Sequence, residues 1–265
     1  MVEGAKPVKP RNLFGIKDLF TTVNVLGGAA AILLCIEGRP FWAGVAILIG
    51  WIADMFDGAV ARALGTANRF GGEFDTIADH LSHIIAPATI LFTVYRDVDL
   101  GLGTRASWWI AAGVAGAIMV AGSVRHARNV VRPVTFKGIW CGLPRTAVGF
   151  LALGVADSKL LPLVPGGYWL GVAVCLAACW GTLTYLPFTS HHLARRLSWF
   201  ARICVALTLL TTFGVLVFAR EFVFDVLLFW MSGYSVAAWI GLTPEERATW
   251  KQLVKEAKQR GEVPG

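Results

Sequence analysis

Apolar residues run along this chain in long blocks, interrupted by short clusters of charged, glycine and proline positions. Blocks long enough to cross a bilayer, which takes about 20 apolar residues as a helix, occupy 19–36, 41–61, 73–95, 107–124, 143–162, 167–187, 199–218 and 222–241. The pattern predicts an all-α, polytopic integral membrane bundle of about eight transmembrane helices. The fifth block is the weakest, with Pro144 and Arg145 at its start and Asp157 and Lys159 near its end. Residues 1–12, with Lys6-Pro7-Val8-Lys9-Pro10-Arg11, read as a disordered N-terminal arm. Residues 13–20 mix apolar and charged positions and suit a short interfacial segment. The membrane domain is expected over 13–242.

The last residues, 243–265, carry a different pattern. Thr243 is a helix cap, Pro244 suits the first helical position, and Glu245 and Glu246 fill the first turn. Trp250, Leu253, Val254 and Ala257 then recur at helical spacing. This predicts a cytoplasmic amphipathic helix that caps the structure.

Composition agrees with a membrane chain. Of 265 residues 56% are hydrophobic and only 15% charged, and the mean hydropathy is +0.62, whereas soluble domains run near a quarter charged. Charge placement orients the helices. With the N-terminus inside, only Arg39, Arg96, Arg105, Lys159 and Arg220 of the 24 basic residues fall outside. That bias predicts both termini in the cytoplasm, in the cell (inner) membrane. The net charge of +7 then suits anionic headgroups, and no basic run interleaved with aromatics suggests nucleic acid. The polar first 18 residues contain no apolar core of a cleavable signal. Cys35, Cys141, Cys175, Cys179 and Cys204 have no neighbours at zinc spacing and read as buried thiols.

One feature conflicts with this apolar setting. Asp54, Asp57, Asp75 and Asp79 fall within 26 residues, and a charge at the centre of a membrane helix costs roughly 2.5–3.5 kcal/mol on insertion scales. Asp54, Asp57, Gly58 and Ala61 share a wedge of about 100° on a helix. The two small residues there leave room for a flat group such as a nucleotide base. Arg62 lies about 12 Å along the axis from Asp54, where it would meet a phosphate. Asp75 and Asp79 share a face of the next helix by the i, i+4 rule. Returning antiparallel through the polar stretch from Ala63 to Gly72, the two acidic faces would converge below the cytoplasmic surface. Such a cluster suits one or two hard divalent ions, Mg²⁺ or Mn²⁺, able to clamp a diphosphate.

The frame Asp54-x-x-Asp57-Gly58-x-x-Ala61-Arg62-x8-Gly71-x3-Asp75-x3-Asp79 resembles, at every specified position, the motif of the CDP-alcohol phosphatidyltransferase family. That resemblance implies a six-helix core, here plus two, and transfer of a phosphatidyl group from CDP-diacylglycerol to an alcohol with release of CMP. It implies that Asp54, Asp57 and Asp75 hold two divalent ions, with Asp79 as general base also touching a metal. Gly58, Ala61, Arg62 and Gly71 would line the cytidine and phosphate pocket, and a homodimer is expected.

Three further stretches resemble the phosphatidylserine synthase branch: Leu19 to Gly28, Asp75 to Ala88, and Arg125-His126-Ala127-Arg128-Asn129 followed by Gly142-Leu143-Pro144. Two positions depart from it: His83-Ile84 where that branch has Phe-Gly, and Asn129 one place early. Serine is thus the favoured acceptor, with inositol phosphate and glycerol phosphate as alternatives. His83, four residues after Asp79, could contact the base or acceptor, and Arg125, Arg128 and Lys137 could grip a carboxylate or phosphate. A non-enzymatic cation pathway is the rival class, and it predicts acids spread along a pore.

Overall fold

The third apolar block, expected as one unbroken helix, changes its winding in the middle. It runs as α3 (Arg69–His80), a single π-helical turn at Leu81–Ile85, and α4 (Ala86–Tyr95). A π-turn inserts one extra residue per turn and so rotates everything after it about the axis. Here it buries Ser82, His83 and Ile84. The computed structural model describes residues 14–64, 68–131, 134, 136, 138–189, 199–236 and 242–259. The chain divides into two units, Met1–Ala86 and Pro87–Gly265.

The first unit is built on α1 (Ile16–Ile36) and α2 (Pro40–Leu64). The expected interfacial segment is absorbed into α1. The Gly15 N–H donates to the Asp18 carboxylate at 2.7 Å, placing an acid at the positive end of the helix dipole. Lys17 and Asp18 are both buried, and their ion pair at 2.6 Å compensates each charge. α1 packs along α2 and also against α3 and the π-turn. In lipid there is no hydrophobic drive between helices, so close packing depends on small residues. At Gly27 a Cβ would lie 2.7 Å from the Ala46 carbonyl and 3.1 Å from the Gly50 Cα. The two backbones touch there, and neither can yield.

The second unit centres on α6 (Arg145–Asp157), buried at every residue from Ala147 to Asp157. α7 (Gly167–Leu183) and α9 (Val223–Val236) pack on α6, α5 (Thr104–Val131) packs on α7, and α8 (Trp199–Phe218) on α9. A Cβ on Gly154 would lie 2.6 Å from that of Leu228, which marks the α6–α9 crossing. At one end of that crossing, Asp225 accepts from the Ser158 hydroxyl and from the Lys159 and Leu160 N–H groups at 3.0 and 3.1 Å.

Each of the eight apolar blocks contains helix. Lys17–Ile36, Arg69–Tyr95 and Thr104–Val131 are long and apolar enough to cross a membrane, with shorter apolar helices at Pro40–Phe56, Gly167–Leu183 and Ala206–Phe218. The chain is a multi-pass membrane protein. The fifth block differs from expectation: α6 has 13 residues, about 20 Å, against a hydrocarbon core of about 30 Å. Pro144 starts it and the turn at Ser158 ends it.

A two-stranded antiparallel ribbon, β1 (Ile139–Cys141) and β2 (Pro187–Thr189), was not apparent in the sequence pattern. It carries α10 (Pro244–Gln259). The predicted cap forms: Thr243 N–H donates to Glu246 Oε2 at 3.0 Å, and Glu246 N–H donates to Thr243 Oγ1 at 3.2 Å. Trp250 packs with Ile139, Cys141 and Leu242, and its Nε1 donates to the Tyr185 carbonyl at 2.9 Å. Replacing so large a buried ring by alanine costs about 3–5 kcal/mol. Trp250→Ala is expected to release α10, read as rapid proteolytic cleavage within 244–259 while the helices before it stay protected.

Candidate active site

Asp54 is carried by α2, and Asp75 and Asp79 by α3, one turn apart. Their carboxylate oxygens lie within 4.8 Å of one another, each side chain half-buried. Three acids on two helices thus converge as their spacing predicts. The helix between them differs from the expected simple pair, because α1 packs against both α2 and α3. The side chains of Asp57, Gly58, Ala61 and Arg62 lie outside the described residues, although their backbone belongs to α2.

Among the described residues, Asn24 and His83 contact Asp54 and Asp79. Asn24 Nδ2 on α1 donates to Asp54 Oδ1 at 3.1 Å and, more distantly, to Asp79 Oδ1 at 3.4 Å. His83 Nδ1 lies 3.1 Å from that same oxygen of Asp79, with His83 1% exposed. The i, i+4 contact expected for His83 is therefore formed. Arg69 lies 4.0 Å from Glu73 on the exposed side of α3.

Gly71 is buried where α3 begins, its N–H capped by Asn68 Oδ1 at 2.7 Å. A Cβ there would fall 1.5 Å from Lys17 Nζ and 2.6 Å from Asp18 Oδ1. The motif glycine thus admits the Lys17–Asp18 pair to the start of α3. Asn24, Lys17 and Asp18 were missed as site residues. The available signal was a polar residue inside the first apolar block, and two charges directly preceding it.

Among the described residues, the ligand atoms at the cluster are carboxylate oxygens close enough together to belong to one metal centre. This donor set fits a hard divalent ion such as Mg²⁺ or Mn²⁺ and does not fit soft metals, which favour sulfur.

In the second unit the expected anion-binding residues separate. Arg128 is a clamp: Nη1 donates to the Leu183 and Thr184 carbonyls at 2.7 and 3.2 Å, and Nη2 to Cys141 and Thr182 at 3.2 and 3.4 Å. Its guanidinium also stacks 4.6 Å over Tyr185. Those bonds tie α5 to the end of α7 and to β1. Arg125 is 6% exposed, and its Nε and Nη2 have no hydrogen-bond partner among the described residues. Its titratable neighbours include Arg145, Arg128, Cys141 and Tyr234. A buried guanidinium beside like charges is strongly unfavourable without an anion. Lys137 lies outside the described residues.

Comparison with known proteins bears on this geometry. The model of the CDP-alcohol phosphatidyltransferase family matches residues 15–184. The chain belongs to that family. Among its relatives in the family, a CDP-diacylglycerol–serine O-phosphatidyltransferase of Mycobacterium leprae is 23% identical over 92% of this chain and 82% of its own length. One of the same description from Methanocaldococcus jannaschii is 38% identical over 54% of this chain. The chain spans 61% of that archaeal protein. A phosphatidylinositol phosphate synthase of Mycobacteroides abscessus is 37% identical over 37% of this chain and 40% of its own length. These similarities support the phosphatidylserine synthase-like branch of the family.

The close backbone crossing that supports the site gives a direct test. Gly27→Ala places a methyl against the Ala46 carbonyl and should destabilise the protein by about 1–3 kcal/mol. The check is a lowered thermal midpoint in detergent, while Gly116→Ala, in a helix where nothing lies within 4 Å, does not lower it.

Proposed function

We propose that this protein transfers the phosphatidyl group of CDP-diacylglycerol to the hydroxyl of L-serine, forming phosphatidylserine and CMP. The observation that carries this reading is the convergence of Asp54, Asp75 and Asp79 within 4.8 Å. Acids lining a cation pathway would be strung along a pore; these are packed at one point.

Asp54, Asp57 and Asp75 would hold two divalent ions, with Asp79 contributing an oxygen. When bound, such ions offset the charge of the donor diphosphate and of the departing CMP. Asp79 takes the proton from the serine hydroxyl. The serine oxygen then forms a bond to the phosphatidyl phosphorus as the pyrophosphate P–O bond breaks, and CMP leaves with that oxygen. His83 restrains the base through Asp79 Oδ1. Gly58, Ala61 and Arg62 are assigned to the nucleotide. The basic bias of the loops supports a cytoplasmic face for the chemistry in the cell membrane, where a water-soluble nucleotide can depart and the lipid product stays behind.

Arg125 is assigned to an anion of the acceptor, a reading supported by its buried Nε and Nη2, which have no hydrogen-bond partner among the described residues. The serine carboxylate is one such anion. The phosphate of inositol phosphate is the alternative, which the mycobacterial relative brings in.

Asp79→Asn should lower CMP release from CDP-diacylglycerol and serine by about 10²–10⁴-fold, the usual contribution of a general base, with donor binding retained. Wild-type turnover in that variant would sink the base assignment. Arg125→Gln should raise the KM for serine by roughly tenfold or more, the scale of a charge-assisted hydrogen bond. The KM for CDP-diacylglycerol should stay the same. Offering serine, inositol phosphate and glycerol phosphate in turn, and following CMP, decides the acceptor.

A further inference from the structure

Asn24 has no task in the chemistry above, yet it is fully buried in α1. Its carboxamide donates to carboxylates carried by two different helices, Asp54 on α2 and Asp79 on α3. An amide NH₂ has two donors, so one residue can serve both acids. It carries no charge, so it neither competes with a cation nor brings the desolvation cost of a buried lysine or arginine. Asn24 Oδ1 makes no hydrogen bond among the described residues. The amide is therefore oriented by its donors, since turning it over would aim an oxygen at both carboxylates.

The backbone around Asn24 is shaped for this reach. Gly27 and Gly28 follow it by three and four residues, the next turn on the same side of α1. Gly27 lets the α2 backbone approach at Ala46 and Gly50, four residues before Asp54. Gly28 does the same for the π-turn: a Cβ there would lie 3.1 Å from the Ser82 Cα, three residues after Asp79. Each glycine thus seats one acid-bearing segment, and Asn24 joins the two. His83, inside the π-turn, lies 3.1 Å from the same Asp79 oxygen.

We propose that Asn24 is a positioning residue: it holds Asp54 and Asp79 together and, with His83, fixes the rotation of the Asp79 carboxylate. The inference rests on the reading of Asp79 as the base. Because it acts through orientation, losing it should slow turnover and leave substrate binding nearly intact.

The test uses the full chain in lipid nanodiscs. Asn24→Leu keeps the volume and removes the donors; Asn24→Ala serves if the leucine does not fold. The expected result is a kcat lowered about 10–100-fold, the scale of a misplaced catalytic group. KM for serine and for CDP-diacylglycerol should stay within about threefold, as for an interaction realised in the transition state. A second readout needs no turnover. The infrared difference between wild type and variant should show a shifted carboxylate stretch, and the shift should vanish in an Asp54→Asn/Asp79→Asn background. Unchanged kcat, a loss carried entirely by KM, or a shift that persists in that background overturns the proposal. Asp79→Asn, assayed alongside, reports separately on the base: full turnover there refutes the base reading whatever Asn24→Leu does.

Discussion

Bringing like charges together in an apolar protein is the constraint on which this structure turns. Three carboxylates within 4.8 Å repel one another, and half-burial strengthens that repulsion by lowering the local dielectric. The fold answers with donors that carry little or no charge and with backbones that fit closely enough to keep the donors in place. Gly27, Gly28 and Gly50 supply the fit, and Asn24 and His83 contact the acids. A looser crossing of α1 and α2 would move Asn24 away from Asp54 and remove that hydrogen bond.

Charge is handled in two further ways at other places. The Lys17–Asp18 pair removes two charges from the start of α1 by joining them at 2.6 Å and tucking them against Gly71. Arg128 in the second unit donates through Nη1 and Nη2 to four backbone carbonyls at the end of α7 and at β1. Its positive charge also suits those carbonyls, since the C-terminal end of α7 carries the negative end of the helix dipole. Arg125, three residues earlier on the same helix, has no such partners for Nε and Nη2. Two arginines that look equivalent as a basic pair thus differ in setting: Arg128 ties helices together through backbone carbonyls, and Arg125 makes no such bonds through Nε and Nη2 among the described residues.

Much of this was legible along the chain because the physics involved is local. A run of apolar residues predicts a helix in lipid since backbone groups must be satisfied within the segment, and the observed helices follow those runs. The i, i+4 spacing of Asp75 and Asp79, the contact of His83 with Asp79 and the Thr243–Glu246 cap all depend on neighbours within about one turn. The π-turn at Leu81–Ile85 escaped detection because hydropathy is the same for either winding. The β1–β2 ribbon escaped because three-residue strands have no measurable period.

The sequence alone settled that this is a multi-pass helical membrane protein, which residues carry the acids and which family motif they form, because composition, helical spacing and fixed separations express these directly. Tertiary structure decided that α1 packs against both acid-bearing helices, that Asn24 bridges them, that Gly71 receives Lys17 and Asp18, and that Arg128 donates to the carbonyls at the end of α7. Those facts depend on contacts between residues tens of positions apart, where the approach of two backbones is set by packing and leaves no periodic trace in the chain.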